Sequence, residues 1–445
     1  MFLCKTSWKY TLASIFFIIK QQTYFFVLSY TFFRFTISYW VFQLLGYFMK
    51  LNIKNITIFA LFFILTFIFL FTNQPLVSKE PTLKELFANY FEVGTIWHGK
   101  VLGDPERSIN KNLQKEKKLT AREFNSITAE NCMKPEFIQP SQGNFTFDEA
   151  DQMVSFADKN NMSIVGHTLV WHHMTPKWFF KDDEGNKVRK DVLINRMKNH
   201  IRTVVSRYRG KIDYWDVVNE VIHTKKKEDG TYQAFYRNTP WYDIIGPEYI
   251  EIAYRTVMET DPNVKLLYND FNLDQEAKID FAIDLVKNLR KKGIPIHGIG
   301  YQAHFMMNEP SLSSIEMVFA KCKKAGIPIH ITELDLSVLP NAWHLRGDIV
   351  SLDKDISGSL NPYASFAPQE VLEAQAERYK NIFKIFLKYS DILERVTFWG
   401  VWDGASWRDY SPIKGRTDYP LFFDREFNKK ISYQEVCSLL NKIED

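Results

Sequence analysis

The sequence predicts an α/β fold, namely a (β/α)8 or TIM barrel preceded by a hydrophobic N-terminal leader. From about residue 80 onward, short β-branched and apolar runs alternate with longer amphipathic stretches, and this alternation predicts a parallel sheet. Eight such units follow one another before the C-terminus, which is the number that closes a barrel. A doubly wound open sheet is the alternative, but no glycine-rich phosphate loop follows the first predicted strand.

The predicted strands occupy eight short segments, which are 91–96, 126–131, 163–170, 214–220, 265–270, 298–304, 327–335 and 396–401. Amphipathic stretches such as 282–292 and 374–388 lie between them and predict the outer helices. Two connections, 222–238 and 337–368, are long for a barrel, and the first contains the hairpin signal Asp229-Gly230. Long loops at the end of a strand are either functional or harmless surface insertions, and both interpretations stay open.

The carboxyl ends of the predicted strands carry polar or ionisable residues. They are Glu130 and Asn131, His167, Asn219 and Glu220, Asn269 and Asp270, Gln302 and His304, Glu333 and Asp335, and Trp402 with Asp403. In a TIM barrel all these ends lie at one face, where active sites are built. One polar strand end has an ordinary structural explanation, but seven at one face predict that this face binds a ligand.

Charge and cysteine content exclude several functions. Residues 1–78 hold six of the 56 basic residues and no acidic ones, so the remaining 50 basic and 52 acidic residues leave the body near −2. Such a body has no electrostatic footprint for nucleic acid and suits a neutral polymeric substrate. The cysteines, Cys4, Cys132, Cys322 and Cys437, form no CxxC pair, so we expect no metal or redox motif and interpret them as small hydrophobic side chains.

The leader contains two apolar stretches. Met49, Lys50 and Lys54 resemble a start and a basic segment, and the uncharged run 56–72 after them is typical of an export signal. We hypothesise that translation begins at Met49, that 1–48 is an over-extended gene model and that 49–78 is a signal peptide or membrane anchor. Two genuine membrane helices are the alternative. The domain at 80–445 is then secreted or periplasmic, or anchored to the membrane by residues 50–72.

Two glutamates stand at predicted strand ends, Glu220 in WDVVNE (215–220) and Glu333 in ITELD (331–335). Glycoside hydrolysis uses two carboxyl groups that flank the bond, one to protonate the leaving oxygen and one to attack the sugar carbon or activate water. A lone glutamate at a strand end is more often an ion-pair partner than a catalyst. The pair, with its polar neighbours, is what indicates this chemistry.

Both segments resemble the signatures of glycoside hydrolase family 10. Five further segments resemble that family's strand ends in the same order, namely ITAENCMKPE (127–136), GHTLVWH (166–172), YNDFN (268–272), GIGYQAH (298–304) and FWGVWDGASW (398–407). The resemblance covers roughly residues 85–442 and implies a retaining endo-β-1,4-xylanase. Cellulases and mannanases of the retaining barrel type are the alternative, but they are not expected to share GHTLVWH or AENCMKPE. A non-catalytic carbohydrate-binding barrel is disfavoured because both glutamates are present.

The resemblance implies a role for each matching position. Glu220 matches the acid/base and Glu333 the nucleophile, with Asn219, Gln302, His304 and Asp335 as supporting residues. His304 is expected to donate to the nucleophile, Asp335 to orient His304, and Gln302 to form hydrogen bonds near the nucleophile. The substrate-binding positions are Glu130, Asn131, Lys134, His167, Trp171, Trp399 and Trp407. The three tryptophans are expected to wall the sugar and to keep their indole N–H groups free for a hydroxyl.

The resemblance also implies partners and one departure. Xylan and xylo-oligosaccharides are the expected substrates, without metal or cofactor, for a monomer that touches the membrane only through its N-terminal segment. After GHTLVWH the family commonly has a polar pair ending in Gln, where this chain has His173 and Met174. Met174 cannot donate a hydrogen bond to a sugar, yet its bulk could exclude the hydroxymethyl group of glucose. The sequence leaves open whether discrimination between xylose and glucose is relaxed or sharpened.

Overall fold

The computed structural model describes residues 80–98, 109–343 and 358–440. The chain separates into two compact units, of which the second is Glu80–Asp445. The predicted leader segments 1–48 and 49–78, with the proposed anchor 50–72, lie outside the described residues and stay predictions. Among the residues that are described, no helix combines the length and the apolar character needed to cross a bilayer.

The described part of the chain contains a closed barrel of eight parallel strands, which confirms the predicted fold class. The strands are β1 Glu92–Trp97, β2 Ser126–Ala129, β3 Ser163–Val170, β4 Tyr214–Asn219, β5 Ile222–Lys226, β6 Tyr232–Tyr236, β7 Lys265–Asp270, β8 Ile296–Tyr301, β9 His304–Met306, β10 Ile329–Ser337 and β11 Leu393–Phe398. The barrel order is β1, β2, β3, β4, β7, β8, β10 and β11, and β11 pairs with both β10 and β1. Closure brings the carboxyl ends of all eight barrel strands to one face.

Helices cover the outside of the barrel and bury one apolar face each. They are α1 Leu83–Leu86, α2 Ile109–Glu123, α3 Pro135–Ile138, α4 Asp148–Lys159, α5 Lys190–Arg207, α6 Pro240–Ile245, α7 Glu248–Thr260, α8 Glu276–Lys291, α9 Leu312–Ala325, α10 Gln369–Lys388 and α11 Ile431–Cys437. Helix α9 illustrates the local rules. It begins after Ser311, whose hydroxyl accepts from the Ser314 N–H at 3.0 Å, and ends at Gly326, whose φ of 65° suits glycine.

The long connection after β4 is a β-hairpin, as its Asp-Gly signal indicates. Strands β5 and β6 pair antiparallel from Ile222–Tyr236 to Lys226–Tyr232, and Gly230 takes a φ of 84° in the turn. The second long connection, 337–368, falls partly outside the described residues, which omit 344–357. Cys132 and Cys322 are buried and free, as expected, whereas Cys437 is only partly buried.

Candidate active site

Glu220 lies directly after β4 in a left-handed backbone conformation, with a φ of 59°. A non-glycine residue seldom adopts this region, and such strain is typical of functional positions. Two hydrogen bonds hold the conformation, because the Glu220 N–H donates to the Asn269 carbonyl at 3.0 Å and Arg237 Nε donates to the Glu220 carbonyl at 2.9 Å. These bonds direct the side chain of Glu220 into the polar end of the barrel, where the residue is 8% exposed.

The carboxyl group of Glu220 is arranged to hold a proton. Burial raises its pKa, and the negative charges of Asp270 and Glu333 raise it further. Gln302 Nε2 donates to Oε1 at 3.0 Å and Trp171 Nε1 donates to Oε2 at 3.0 Å, and these two bonds offset part of the rise. The side chain of Gln302 thus contacts Glu220, whereas its backbone carbonyl accepts from the Glu333 N–H at 2.9 Å.

Glu333, near the end of β10, is arranged to stay ionised. Its Oε2 accepts from His304 Nε2 at 3.1 Å and its Oε1 accepts from Asn269 Nδ2 at 2.8 Å. Burial alone would raise the pKa of Glu333, but the hydrogen bonds from His304 and Asn269 and the charge of His304 hold it below its ordinary value. The two glutamates therefore have pKa values shifted in opposite directions, which is the pattern of a catalytic acid beside a nucleophile.

A buried ion network fixes the orientation and charge of His304. Its Nδ1 donates to Asp335 Oδ2 at 3.0 Å while Nε2 faces Glu333. Burial opposes the charged imidazolium, but Asp335 and Glu333 together raise the pKa of His304 to about 9. Arg408 donates to Asp335 Oδ1 at 2.8 and 2.6 Å and Trp407 Nε1 donates to Oδ2 at 2.7 Å. Burial of Asp335 favours its neutral form, but Arg408 and His304 lower its pKa to about 2.

Two amide side chains connect the catalytic carboxyl groups. Asn269 Nδ2 lies 2.8 Å from Glu333 Oε1 and 3.0 Å from Asn219 Oδ1, and Asn219 Nδ2 lies 3.4 Å from Glu220 Oε1. Thr332 Oγ1 donates to Asn269 Oδ1 at 2.7 Å and fixes the orientation of the amide. A Cβ atom at Gly300 would lie 2.5 Å from the same oxygen, so a residue without a side chain is required there.

Comparison with known proteins decides between chemistries that this geometry allows. The model of a family described as glycosyl hydrolase family 10 matches residues 82–439. The chain belongs to glycosyl hydrolase family 10. It is therefore a glycoside hydrolase, as the two strand-end glutamates predict, and the buried carboxyl groups of Glu220 and Glu333 are its candidate catalytic groups.

Several relatives and solved structures of this family match the chain over nearly their whole length. An endo-1,4-beta-xylanase of Geobacillus stearothermophilus is 40% identical over 81% of this chain and 99% of its own. An endo-1,4-beta-xylanase A of Xylanibacter ruminicola is 38% identical over 81% of this chain and 94% of its own. The structure of a family 10 endoxylanase from a sugarcane soil metagenome is 38% identical, with a TM-score of 0.72 over 81% of this chain and 100% of that chain.

The predicted substrate-binding residues of family 10 lie beside the two carboxyl groups. Lys134 Nζ lies 3.1 Å from Asn131 Oδ1, and it faces the rings of Trp171 and Trp399 at 5.1 and 6.0 Å. Burial lowers the pKa of Lys134, although the nearby carboxylates, led by Glu130, oppose that change. Within the described part of the chain Glu130 Oε2 is buried without a hydrogen-bond partner, so it is an acceptor available to a sugar hydroxyl.

The ring of His167 is oriented by a buried carboxylate. Its Nδ1 donates to Asp216 Oδ2 at 2.9 Å, so Nε2 is the ring nitrogen on the opposite side. The imidazole stands edge-on to Trp399, with the ring centroids 5.5 Å apart. Met174 takes a left-handed φ of 48°, and its carbonyl accepts from the Glu136 N–H at 2.9 Å.

Two expectations about the tryptophans and the strand ends are wrong. The indole N–H groups of Trp171 and Trp407 are not free for a sugar, since they donate to Glu220 and Asp335. The carboxylate of Asp403, at the last predicted strand end, is used in an internal ion pair with Lys430 Nζ at 2.9 Å. Trp402 Nε1 likewise donates to a buried carboxylate, that of Glu116, at 2.8 Å. These two strand-end residues stabilise the barrel and do not enter the site.

Sequence reasoning missed two residues of the site. The sequence predicts a polar strand end at Asn269 but no role for it, although its side chain donates to Glu333. It also predicts no role for Arg408, which follows directly after the segment 398–407 and bonds Asp335. A buried arginine needs a carboxylate partner, so its position beside a family segment was a usable signal.

Loss of a hydrogen-bond donor to Glu220 should move the alkaline limb of the pH profile. Glu220 must be protonated for attack, so kcat/KM falls as the pH rises through its pKa in the free enzyme. In Gln302→Leu and in Trp171→Phe the ionised carboxylate loses one donor, its pKa rises, and the limb moves to higher pH. Gln434→Leu, at an exposed helical position, is the control and should keep the native profile. A limb that stays in place or moves to lower pH in both variants would contradict this assignment.

Removal of Arg408 should destabilise the barrel strongly. Arg408→Met leaves the buried carboxylates of Asp335 and Glu333 with the single charge of His304 between them and is expected to lower the free energy of unfolding by about 3 kcal/mol. Urea unfolding followed by circular dichroism measures the change. The control is Arg189→Met, because its ion pair with Asp191 lies in solvent and should contribute nothing measurable. Equal urea midpoints for Arg408→Met and Arg189→Met would show that the buried Arg408–Asp335 pair does not stabilise the fold.

Proposed function

We propose that the protein is an endo-1,4-β-xylanase that hydrolyses internal bonds of xylan with retention of configuration. The observation that carries the proposal is the pair of buried carboxyl groups, Glu220 and Glu333, whose pKa values are shifted in opposite directions on one hydrogen-bonded network. Retaining glycoside hydrolysis needs one protonated and one ionised carboxyl group. The relatives named above, all xylanases by name, support xylan as the substrate.

The first step joins the sugar to the protein. Glu333 attacks the anomeric carbon while the proton of Glu220 passes to the leaving oxygen, so the glycosidic bond breaks as an ester bond to Glu333 forms. His304, with both ring nitrogens donating to carboxylates, holds Glu333 ionised and in place before attack. Asn219 stands between the two groups, where its amide can bond the sugar hydroxyl next to the reacting carbon.

The second step reverses the role of Glu220. Once the ester has formed, Glu333 no longer carries the negative charge that helps to raise the pKa of Glu220. The pKa of Glu220 therefore falls after its proton has gone, and the carboxylate can accept a proton from water. That water attacks the anomeric carbon and releases Glu333 as a carboxylate, so neither a metal nor an organic cofactor takes part in the cycle.

Product profiling tests the proposed substrate. Glucuronoxylan, arabinoxylan and soluble cellulose are incubated with the protein, and the oligosaccharide sizes are followed from the first minutes. We expect intermediate xylo-oligosaccharides to appear early, and cellulose to be turned over about 10- to 100-fold more slowly, since a close-fitting subsite excludes the hydroxymethyl group. Faster turnover of cellulose would favour the alternative β-1,4-glycan. Release of xylose alone from the beginning would contradict internal cleavage.

We further propose that the protein is exported and acts as a monomer outside the cytoplasm, secreted, periplasmic or anchored by residues 50–72. The apolar run 56–72 after two lysines supports export, and polymeric xylan does not cross a cell membrane. Cell fractionation with mass spectrometry of the N-terminal peptide tests this. A mature protein that starts after residue 72 is expected for a cleaved signal, and activity confined to the cytoplasm would overturn the proposal.

A further inference from the structure

Three potential metal ligands meet at the end of the barrel opposite the active site. His297, His330 and Glu394 are each the second residue of their strand, in β8, β10 and β11, so they stand where these strands begin. One ligand atom from each lies within 4.8 Å of the other two. Because the catalytic groups stand where the strands end, this cluster is separated from them by the length of the barrel interior.

The three ligand atoms lie near the spacing that a small cation requires. His297 Nε2 lies 2.8 Å from Glu394 Oε2, which is the distance of a hydrogen-bonded pair, and His330 Nε2 lies 3.7 Å from the same oxygen. Ligand atoms bound tetrahedrally at about 2.0–2.1 Å from zinc are roughly 3.3 Å apart. To bind a metal, the first distance must widen and the second must shorten, each by roughly half an ångström or less.

His330 gives the independent indication of a ligand. Its ring is fully buried, and within the described part of the chain neither Nδ1 nor Nε2 has a hydrogen-bond partner. Buried ring nitrogens are normally hydrogen-bonded. An imidazole that lacks such a partner and faces a carboxylate therefore indicates that a metal ion can bind between the two groups. A Cβ atom at Gly298 would lie 3.2 Å from His330 Nε2 and would crowd the site.

We propose that His297, His330 and Glu394 bind a divalent transition metal of the zinc class at the amino-terminal end of the barrel. Two imidazoles and one carboxylate are a ligand set typical of zinc, and a water completes four-coordination. Tyr214 Oη donates to Glu394 Oε2 at 3.1 Å and orients the ligating carboxylate. The metal joins the beginnings of three strands, so it stabilises the fold without entering the reaction.

Two cations also face the cluster and limit its affinity. Lys265 Nζ lies 4.0 Å from Glu394 Oε2, but its side chain is nearly half exposed and can move into solvent when a metal takes over the carboxylate. The guanidinium of Arg395 is buried and lies 4.6 Å from the centre of the Tyr214 ring, where it stays. Its charge opposes a dication, so the site binds zinc more weakly than the same ligands would without the arginine.

Thermal unfolding with and without zinc tests the proposal on the whole protein. Zinc at a hundredfold excess over its Kd is expected to raise Tm by about 3 °C, and a chelator should reverse the shift. Cobalt(II) in the same site should give visible absorption bands that zinc displaces. Xylanase activity should be unchanged by either metal, so this result is independent of the proposed function.

Matched variants separate the site from adventitious binding. Glu394→Gln and His297→Gln, at the partly exposed edge of the cluster, should each abolish the Tm shift and the cobalt bands. His223→Gln, an exposed histidine on the β5–β6 hairpin, is the control and should keep both. The proposal is overturned if zinc leaves the native Tm unchanged, or if the shift and the bands persist in both cluster variants.

Discussion

Replacing Glu333 by alanine is expected to lower kcat/KM for xylan by about 10⁵-fold, because the variant lacks the atom that attacks the sugar. The hydrogen-bond donors His304 and Asn269 remain, so the substrate still enters a folded site. The loss should therefore appear in kcat, with little change in the affinity for xylo-oligosaccharides. Initial rates on soluble xylan, together with calorimetric binding of xylotriose to the variant, measure the two effects separately.

The matched control is Glu370→Ala, which removes an exposed glutamate from helix α10 on the outside of the barrel. It should retain the native kcat, since its side chain lies in solvent. Residual activity of Glu333→Ala within tenfold of the native value would contradict its role as the nucleophile. Circular dichroism of both variants confirms that the comparison is made between folded proteins.

Replacing Glu220 by alanine is expected to affect substrates according to their leaving group. Hydrolysis of xylan should fall by about 10³- to 10⁴-fold, because the leaving oxygen of a sugar needs a proton. Aryl xylobiosides with an activated phenol need little protonation in the first step, so glycosylation should be nearly spared. The glycosyl-enzyme then accumulates, since deglycosylation has lost its base, and a burst of phenol should precede slow turnover.

Stopped-flow measurement of the burst on an activated aryl xylobioside, beside initial rates on xylan, tests this role. The control is Glu116→Ala, because Glu116 is a buried glutamate that bonds His98 and Trp402 and has no place in the cleavage. Glu116→Ala should change the rates on xylan and on the aryl xylobioside by the same factor. An equal loss on both substrates in Glu220→Ala, without a burst, would show that Glu220 is not the acid.

The barrel and both catalytic carboxyl groups could be predicted because each depends on local sequence. Strands β3 and β7 begin and end where the sequence predicts, since each is a short, mostly buried apolar run. Strand β11 begins at Leu393 and not at 396, which the sequence does not predict because Glu394 and Arg395 interrupt the apolar pattern. The segment 298–304 is likewise divided between β8 and β9 at Gln302 and Ala303, whose φ is 61°.

Hydrogen-bond partners could not be predicted, because they depend on which side chains meet across the barrel. Gln302 lies beside Glu333, as the resemblance implies, and its backbone carbonyl accepts from the Glu333 N–H, but its side chain bonds Glu220, which the sequence does not predict. The indole groups of Trp171 and Trp407 were expected to be free, yet each completes the shell of a buried carboxylate. Most buried donors are paired, and the partner of each is visible only once the chain has folded.

The central claim is that Glu333 attacks the sugar carbon and Glu220 serves as acid and then base. The anomeric form of the first product tests it most directly, by proton NMR of xylohexaose hydrolysis recorded before mutarotation. Two successive displacements restore the starting configuration, so the newly formed reducing end should appear first as the β-anomer. An α-anomer as the first product would mean a single displacement by water and would contradict the account.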